Sequence, residues 1–329
     1  MSSSLHSVSP HFWSECRRLL ARDPGGRGLT GAGPENTLLA AAGLEPAARN
    51  LAAEATSVAI VTGFYVEGPA GPTIETDGPP GALLLARVLR ALGINVTLVT
   101  DPLGMPVLEA GLRHLDLPHD MLHALPYEPC ASHLVAIERA GPSHTVDSLR
   151  GQHATSEQLA EFERDVPAEH RDRCHNLRGI DITPSTAAAH ALFEQAAAQK
   201  PRITTIGIGD GGNEIGMGCV PWDVLRRAIS IGPAARVACR IATDHLIVAG
   251  TSDWGAYALA AGVCVLRGRR DVLEPCTAAA QEQLIQCLVR DGGAVDGITR
   301  LAAPTVDGLP LATYLQTLVG IRRLCEFDS

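Results

Sequence analysis

Short β-branched runs alternate along this chain with segments whose apolar residues recur at helical spacing. The alternation predicts a layered α/β fold, a mostly parallel sheet flanked by helices with its ligand site at the carboxyl ends of the strands. Val58-Ala-Ile-Val-Thr62 reads as a buried strand. After a loop rich in Pro and Gly, the apolar spacing from Gly81 to Leu92 predicts a helix that Gly93 closes, and Asn95-Val-Thr-Leu-Val-Thr100 is the next strand. A second helix over Met105 to Leu115 precedes a polar, proline-broken passage, and His133-Leu-Val-Ala-Ile137 forms a strand that ends at Glu138 and Arg139. Further on, an Ala-rich helix is expected from Thr183 to Gln199 and a strand over Arg202-Ile-Thr-Thr-Ile206. Two more strands follow at Ala235 to Ile241 and His245 to Ala249, with helices near Trp254 to Val265, Cys276 to Val289 and Leu311 to Cys325.

These elements suggest a helical N-terminal extension over residues 1–50 and an α/β domain over 51–329, with an exposed insertion at 142–179. The insertion has mixed charge and few large apolar residues. Its histidines, His144, His153, His170 and His175, match no metal-ligand spacing and are read as solvated. No internal repeat or low-complexity linker is apparent.

Composition narrows the function classes. The chain has 329 residues with 27 basic against 36 acidic side chains, a formal charge of −9, and no Lys/Arg-rich run to neutralise a phosphate backbone, so nucleic acid is not an expected partner. Nine cysteines are scattered without a C-x-x-C pair, which signals neither zinc nor a disulfide framework and fits reduced intracellular thiols. No apolar run approaches the roughly 18 residues of a membrane span, so a soluble protein without a membrane partner is expected. Met1 to Asp23 is Ser-rich with Arg17, Arg18 and Arg22, as in a weak targeting peptide, but an amphipathic helix against the core is the preferred reading.

The densest chemical signal is Gly207-Ile-Gly-Asp-Gly-Gly-Asn-Glu-Ile-Gly-Met-Gly218, six glycines around Asp210, Asn213 and Glu214. Glycine lets backbone N–H groups approach an anion, while the polar side chains supply ligand or proton-transfer groups. The loop formally satisfies G-x-G-x-x-G, but no acid follows between Asp223 and Asp244 to hold a ribose, and Asp210 and Glu214 would repel a pyrophosphate. Two other loops share its chemistry. Glu75-Thr-Asp-Gly-Pro-Pro-Gly81 opens a helix, where Asp77 or Thr76 alone would be read as a cap. Glu138-Arg-Ala-Gly141 follows a strand and taken alone would be a surface ion pair. If parallel strands bring the three loops to one sheet edge, Glu75, Asp77, Glu138, Asp210 and Glu214 converge, and a divalent cation or shifted pKa values must absorb their repulsion.

The blocks Glu75–Gly81, His133–Gly141, Gly207–Gly218, Trp254-Gly255 with Tyr257-Ala-Leu-Ala260, and Val306-Asp-Gly-Leu-Pro310 together resemble the C-terminal domain of the D-glutamate cyclase family across most of residues 58–325. The resemblance implies a lyase that converts D-glutamate to 5-oxo-D-proline and water by attack of the amine on the γ-carboxyl group. On that reading Asp77, Glu138, Asp210 and Glu214 are the catalytic candidates, with Glu138 or Asp77 as base and Glu214 as acid. The substrate-binding candidates are Glu75, Thr76, Arg139, Gly209, Gly211, Gly212, Asn213, Asp253 and Trp254, the backbone N–H groups of Gly209 to Gly212 holding the oxyanion and Arg139 or Asn213 a substrate carboxylate. A cofactor is not identified, although a divalent cation (Mg²⁺, Mn²⁺ or Ca²⁺) on Asp77, Glu138, Asp210 and Glu214 would suit the chemistry.

One departure stands out. Asp253 precedes Trp254 where family members carry Asn, and Ala256 stands where they carry Gly, which would alter substrate preference or add a metal ligand if position 253 lines the pocket. Vertebrate members are longer at the N-terminus, so this chain is expected to correspond to their second half. A cytoplasmic location is expected, the mitochondrion being the family alternative. The rival readings are a non-catalytic sensor of a metal or amino acid, and a lactam-forming or dehydrating enzyme acting on another D-amino acid. The sequence leaves the oligomeric state open.

Overall fold

The computed structural model describes residues 5–30, 43–128 and 130–327. Its sheet strands are β1 (Ser57–Thr62), β4 (Asn95–Thr100), β5 (Leu122–Ala124), β6 (His133–Ile137), β7 (Thr204–Gly209) and β8 (His245–Val248), while β2 (Tyr65–Gly68) and β3 (Gly71–Ile74) form a separate hairpin. The six strands lie in the order β5-β4-β1-β6-β7-β8, and every pairing is parallel. Their near-continuous apolar sequences follow from burial on both faces. Val58 and Ile60 point into one apolar layer, while Ala59 and Val61 point into the other.

The helices of seven residues or more are α1 (Pro10–Leu20), α2 (Leu44–Glu54), α3 (Pro79–Ala91), α4 (Met105–His114), α5 (Ser156–Asp165), α6 (His190–Ala196), α7 (Trp222–Ala228), α8 (Ser252–Leu266), α9 (Ala278–Arg290) and α10 (Gln316–Phe327). Helices α1 to α4 and α8 to α10 supply the layer that takes Val58, and α5 to α7 supply the layer that takes Val61. All fifteen residues of α8 are buried, as expected of a helix that is apolar all round. Helix α1 packs on it through Trp13, whose ring lies where a Cβ on Gly262 would come within 2.9 Å.

Helices α3 and α8 cap each other. The Asp77 carboxylate, just ahead of α3, accepts the backbone N–H groups of Ser252 and Asp253 at 2.9 Å each. Asp253 in the first turn of α8 returns the interaction, its Oδ1 accepting N–H from Gly78 at 3.0 Å and Gly81 at 2.7 Å. Each carboxylate thus meets the positive end of the other's helix.

The chain order fixes where a ligand can enter. From β1 the chain runs outward through β4 to β5, then returns to the other side of β1 as β6 and continues outward to β7 and β8. The winding direction reverses between β1 and β6, and the loops leaving their carboxyl ends part to form a crevice. Glu138 directly follows β6, and Asp210 directly follows β7.

Several predicted elements differ. The strand before the glycine loop is Thr204–Gly209, so Gly207 and Gly209 belong to it; a Cβ on Gly207 would fall 2.5 Å from the Gly216 Cα, a closeness only glycine allows in this central strand. Ala235 to Ile241 forms no strand: Pro233 starts a helical turn over Ala234–Val237, and only an isolated bridge from Cys239 to Ser143 follows. Within Thr183 to Gln199 the α-helix is confined to His190–Ala196, after a 3₁₀ turn at Thr183–Ser185 built around Pro184. In the segment 142–179, α5 carries an exposed face, but His144 and His175 are buried, and desolvation pushes both imidazoles down to about 4. The N-terminal stretch 1–50 lies partly outside the described residues.

Because Trp13 is buried against α8, Trp13→Ala should destabilise the protein by about 3–5 kcal/mol in denaturant unfolding, as for an interior tryptophan. A loss below about 1 kcal/mol would mean that α1 packs only loosely.

Candidate active site

At the β1/β6 reversal lies a cleft of about 350 Å³, whose lining includes Arg27, Glu75, Glu138, Asp210, Asn213 and Glu214. The carboxylates come from different parts of the chain. Carboxylate oxygens of Asp77, Asp210 and Asp307 lie within 4.8 Å of one another, as do those of Glu138, Asp210 and Glu214. The three acidic glycine loops therefore meet, and Asp210 belongs to both groups.

Each acid is held by local geometry. Glu138 takes a left-handed backbone (φ 45°) and accepts a 2.5 Å hydrogen bond from the Ser252 hydroxyl. Glu75 fits only because residue 297 is glycine, since a Cβ there would overlap its Oε2. Glu214 folds back on its own loop and accepts the N–H groups of Asp210 at 3.0 Å, Gly211 at 2.6 Å and Gly212 at 2.8 Å. Arg27 enters from the N-terminal segment and ion-pairs with Asp210 and, at 2.5 Å, with Asp307.

Burial dominates the electrostatics. Desolvation lifts the Glu75 carboxyl well above its ordinary range, and Asp307 and Asp77 add to the shift. Glu138 is raised by burial and then by Glu214, Asp77 and Glu75. Burial also raises Asp210 and pushes Asp307 up to about 6, with the Arg27 guanidinium opposing both shifts. Several buried acids beside one cation can share a site only if some keep their protons or a further cation joins them.

The other sequence candidates take different positions. Asp77 lies beneath the cleft with its oxygens on the α8 N-terminus. The Asp210, Gly211 and Gly212 amides, expected to hold an oxyanion, are filled by Glu214, and Gly209 lies within β7. Arg139 is fully buried in an ion pair with Asp101 and donates to the carbonyls of Gly63 at 3.0 Å and Ala187 at 2.7 Å, so it is not free to hold a substrate carboxylate. The Thr76 hydroxyl donates to the Thr305 carbonyl. Asp253 sits outside the cleft lining, accepting from Gly78, Gly81 and, at 2.7 Å, the Tyr314 hydroxyl; Trp254 donates from its indole to the Tyr314 carbonyl at 3.1 Å. Position 253 thus acts on the site through the two caps.

Sequence reasoning missed Arg27, Ser252, Asp307 and the Asp296-Gly297 turn. A signal existed for two of them. Asp296-Gly297 and Asp307-Gly308 repeat the Asp-Gly pair of Asp77-Gly78 and Asp210-Gly211, although Asp291-Gly292, at the exposed end of α9, shows that the pair is not sufficient. Arg27 carries no such mark beyond its flanking glycines.

Fold and site together define a doubly wound α/β domain with a buried carboxylate cleft at its topological reversal. The family profile described as D-glutamate cyclase-like, C-terminal, matches residues 17–322, and the chain belongs to that family. It is also similar to the protein named D-glutamate cyclase, mitochondrial, of Homo sapiens, with 29% identity over 352 aligned positions that cover 93% of this chain and 51% of the relative. The chain therefore spans about half the length of that relative. Among the described residues no helix is long and apolar enough to cross a membrane.

The raised carboxyl of Glu138 gives a signed pH effect. The folded state holds a proton that the unfolded chain releases near pH 4, so this group costs stability progressively as pH rises from there through its folded value, at up to about 1.4 kcal/mol per pH unit. Buried neutral histidines act in the opposite direction below about pH 6.5, so the clean observable is a difference between variants. The stability of Glu138→Gln relative to the parent, from denaturant unfolding in chelator, should increase between pH 5 and 8. A pH-independent difference would contradict the buried, proton-holding carboxyl.

Proposed function

We propose that this chain closes D-glutamate to 5-oxo-D-proline with release of water. The observation that carries the reading is a cleft in which buried carboxyl groups with raised proton affinity stand beside an acid with a direct cationic partner. Lactam formation requires that pairing. Two protons must leave the substrate ammonium, and both must end on the departing γ-carboxyl oxygen as water.

Asp210 is the acid that Arg27 contacts, and that guanidinium opposes the upward push of burial by favouring the ionised carboxylate, so Asp210 serves as the base toward the ammonium. Among the described residues Glu138 has no such partner, and burial favours its protonated form. It donates toward the γ-carboxyl, first making that group electrophilic and then protonating the leaving oxygen. Glu75 flanks the same space as a second proton-holding group. Glu214 and Asp77 organise the loop and the helix ends rather than exchange protons.

A divalent cation is a second element of the proposal. Every donor in the two acid groups is a carboxylate oxygen, a set that suits Mg²⁺, Mn²⁺ or Ca²⁺. Arg27 already pairs with both Asp210 and Asp307, so an ion would be held by Glu138, Asp210 and Glu214, where it would take the place of the Glu138 proton rather than act beside it. Such an ion would supply Lewis-acid polarisation of the γ-carboxyl and relieve the charge repulsion. Exhaustive chelation should lower both Tm and turnover, and add-back should restore both; unchanged values would remove the ion from the account.

Chiral chromatography should find 5-oxo-D-proline formed from D-glutamate and not from L-glutamate, with Asp210→Asn and Glu138→Gln each lowering kcat by about 10²- to 10⁴-fold. Gly297→Ala should also cut activity, because its methyl displaces Glu75. Ligand-induced thermal stabilisation without product would favour a binding protein instead, and wild-type rates in both acid variants would refute the assigned roles.

A further inference from the structure

The cleft floor is acidic, and its buried cation is committed to Asp210 and Asp307. A substrate bearing two carboxylates needs positive charge elsewhere. Two further arginines line the cleft, Arg178 and Arg300. Arg178 is exposed, and its guanidinium donates at 3.4 Å to the carbonyl of Ile298 on the facing loop.

Arg300 is held in an unusual way. Its backbone is left-handed (φ 61°), a conformation that glycine takes without strain, and it shares this feature with the site residues Glu138 and Asp307. Asp296 builds the turn that imposes it. One carboxylate oxygen accepts N–H from Ile298 at 3.0 Å and Thr299 at 2.7 Å, the other accepts from the Thr305 hydroxyl and the Gly308 N–H at 2.7 Å each, and the Asp296 carbonyl accepts the Arg300 N–H at 2.7 Å. The turn begins at Gly297, against Glu75 on the floor. Three residues span at most about 10 Å, so the Arg300 backbone stays close to Gly297 and Glu75, and Arg300 lines the same cleft as Glu138 and Asp210. Among the described residues no carboxylate forms an ion pair with its guanidinium, in a chain with nine more acids than bases.

We infer that Arg300, with Arg178 facing it, binds the α-carboxylate of the substrate, so that the amine and γ-carboxyl point to Asp210 and Glu138. The inference rests on the cyclase reading of this cleft and narrows its substrates to small amino acids whose α-carboxylate is free, excluding their α-amides. A guanidinium on a carboxylate binds through charge-assisted hydrogen bonds that the amide cannot reproduce.

The test compares the wild type with Arg300→Gly, which suits the left-handed backbone, and with Arg300→Lys, which keeps the charge. Turnover is measured on D-glutamate and on its α-amide, D-isoglutamine, and binding of 5-oxo-D-proline by calorimetry. Arg300→Gly should keep or raise the Tm, increase KM for D-glutamate and Kd for 5-oxo-D-proline by about 10- to 100-fold with kcat nearly unchanged, and lose discrimination against the amide. Arg300→Lys should recover part of the affinity. Unchanged KM and Kd in Arg300→Gly overturn the inference even if the enzyme remains a cyclase. If 5-oxo-D-proline binding depends on Arg300 but wild type does not turn over D-glutamate, the carboxylate site stands and the cyclase reading fails.

Discussion

Charge confined in a buried space is the constraint on which this structure depends. Glu75, Glu138, Asp210 and Asp307 are drawn from four separate stretches of chain into one buried region, where Arg27 is the cation in direct contact. Water would normally screen these groups. Burial weakens that screening, and three kinds of compensation answer it: the upward-shifted carboxyls' affinity for protons, the guanidinium, and the positive ends of helices. The caps exchanged by Asp77 and Asp253 serve the third, tying α3 to α8 beneath the cleft and holding two carboxylates close together. A fold that imposes such a cluster has the means to exchange protons with a substrate that enters it.

The architecture explains why the acids gather there. A parallel sheet directs the ends of all its strands to one edge, and the reversal between β1 and β6 opens that edge. Glu138 and Asp210 are the first residues beyond their strands, while Asp77 arrives after the β2–β3 hairpin. Among the described residues six non-glycines take a left-handed backbone, and three of them, Glu138, Arg300 and Asp307, belong to this region.

Much of this was legible in the residues. Period-two and period-3.6 patterning gave the layered class and most strands, and the glycine-rich acidic loops pointed to the edge where the acids lie. Patterning failed where short-range chemistry prevailed: Pro233 turned an apolar run into a helical turn, and Gly207 extended β7 into what read as loop. Long-range pairing was invisible. Nothing in the local sequence shows that Arg139 reaches back to Asp101, that Glu214 fills the amides of its own loop, or that Arg27 crosses to Asp210 and Asp307. The histidines of the 142–179 stretch looked solvated because charged neighbours surround them, yet His144 and His175 are packed inside.

The central claim is that one amino acid sits with its amine at Asp210 and its γ-carboxyl at Glu138. The most direct test is a crystal structure of the Glu138→Gln variant with D-glutamate. The account predicts the substrate nitrogen within hydrogen-bonding distance of Asp210 and the γ-carboxyl against residue 138. A ligand bound outside the cleft, or one with its amine turned away from Asp210, would contradict it.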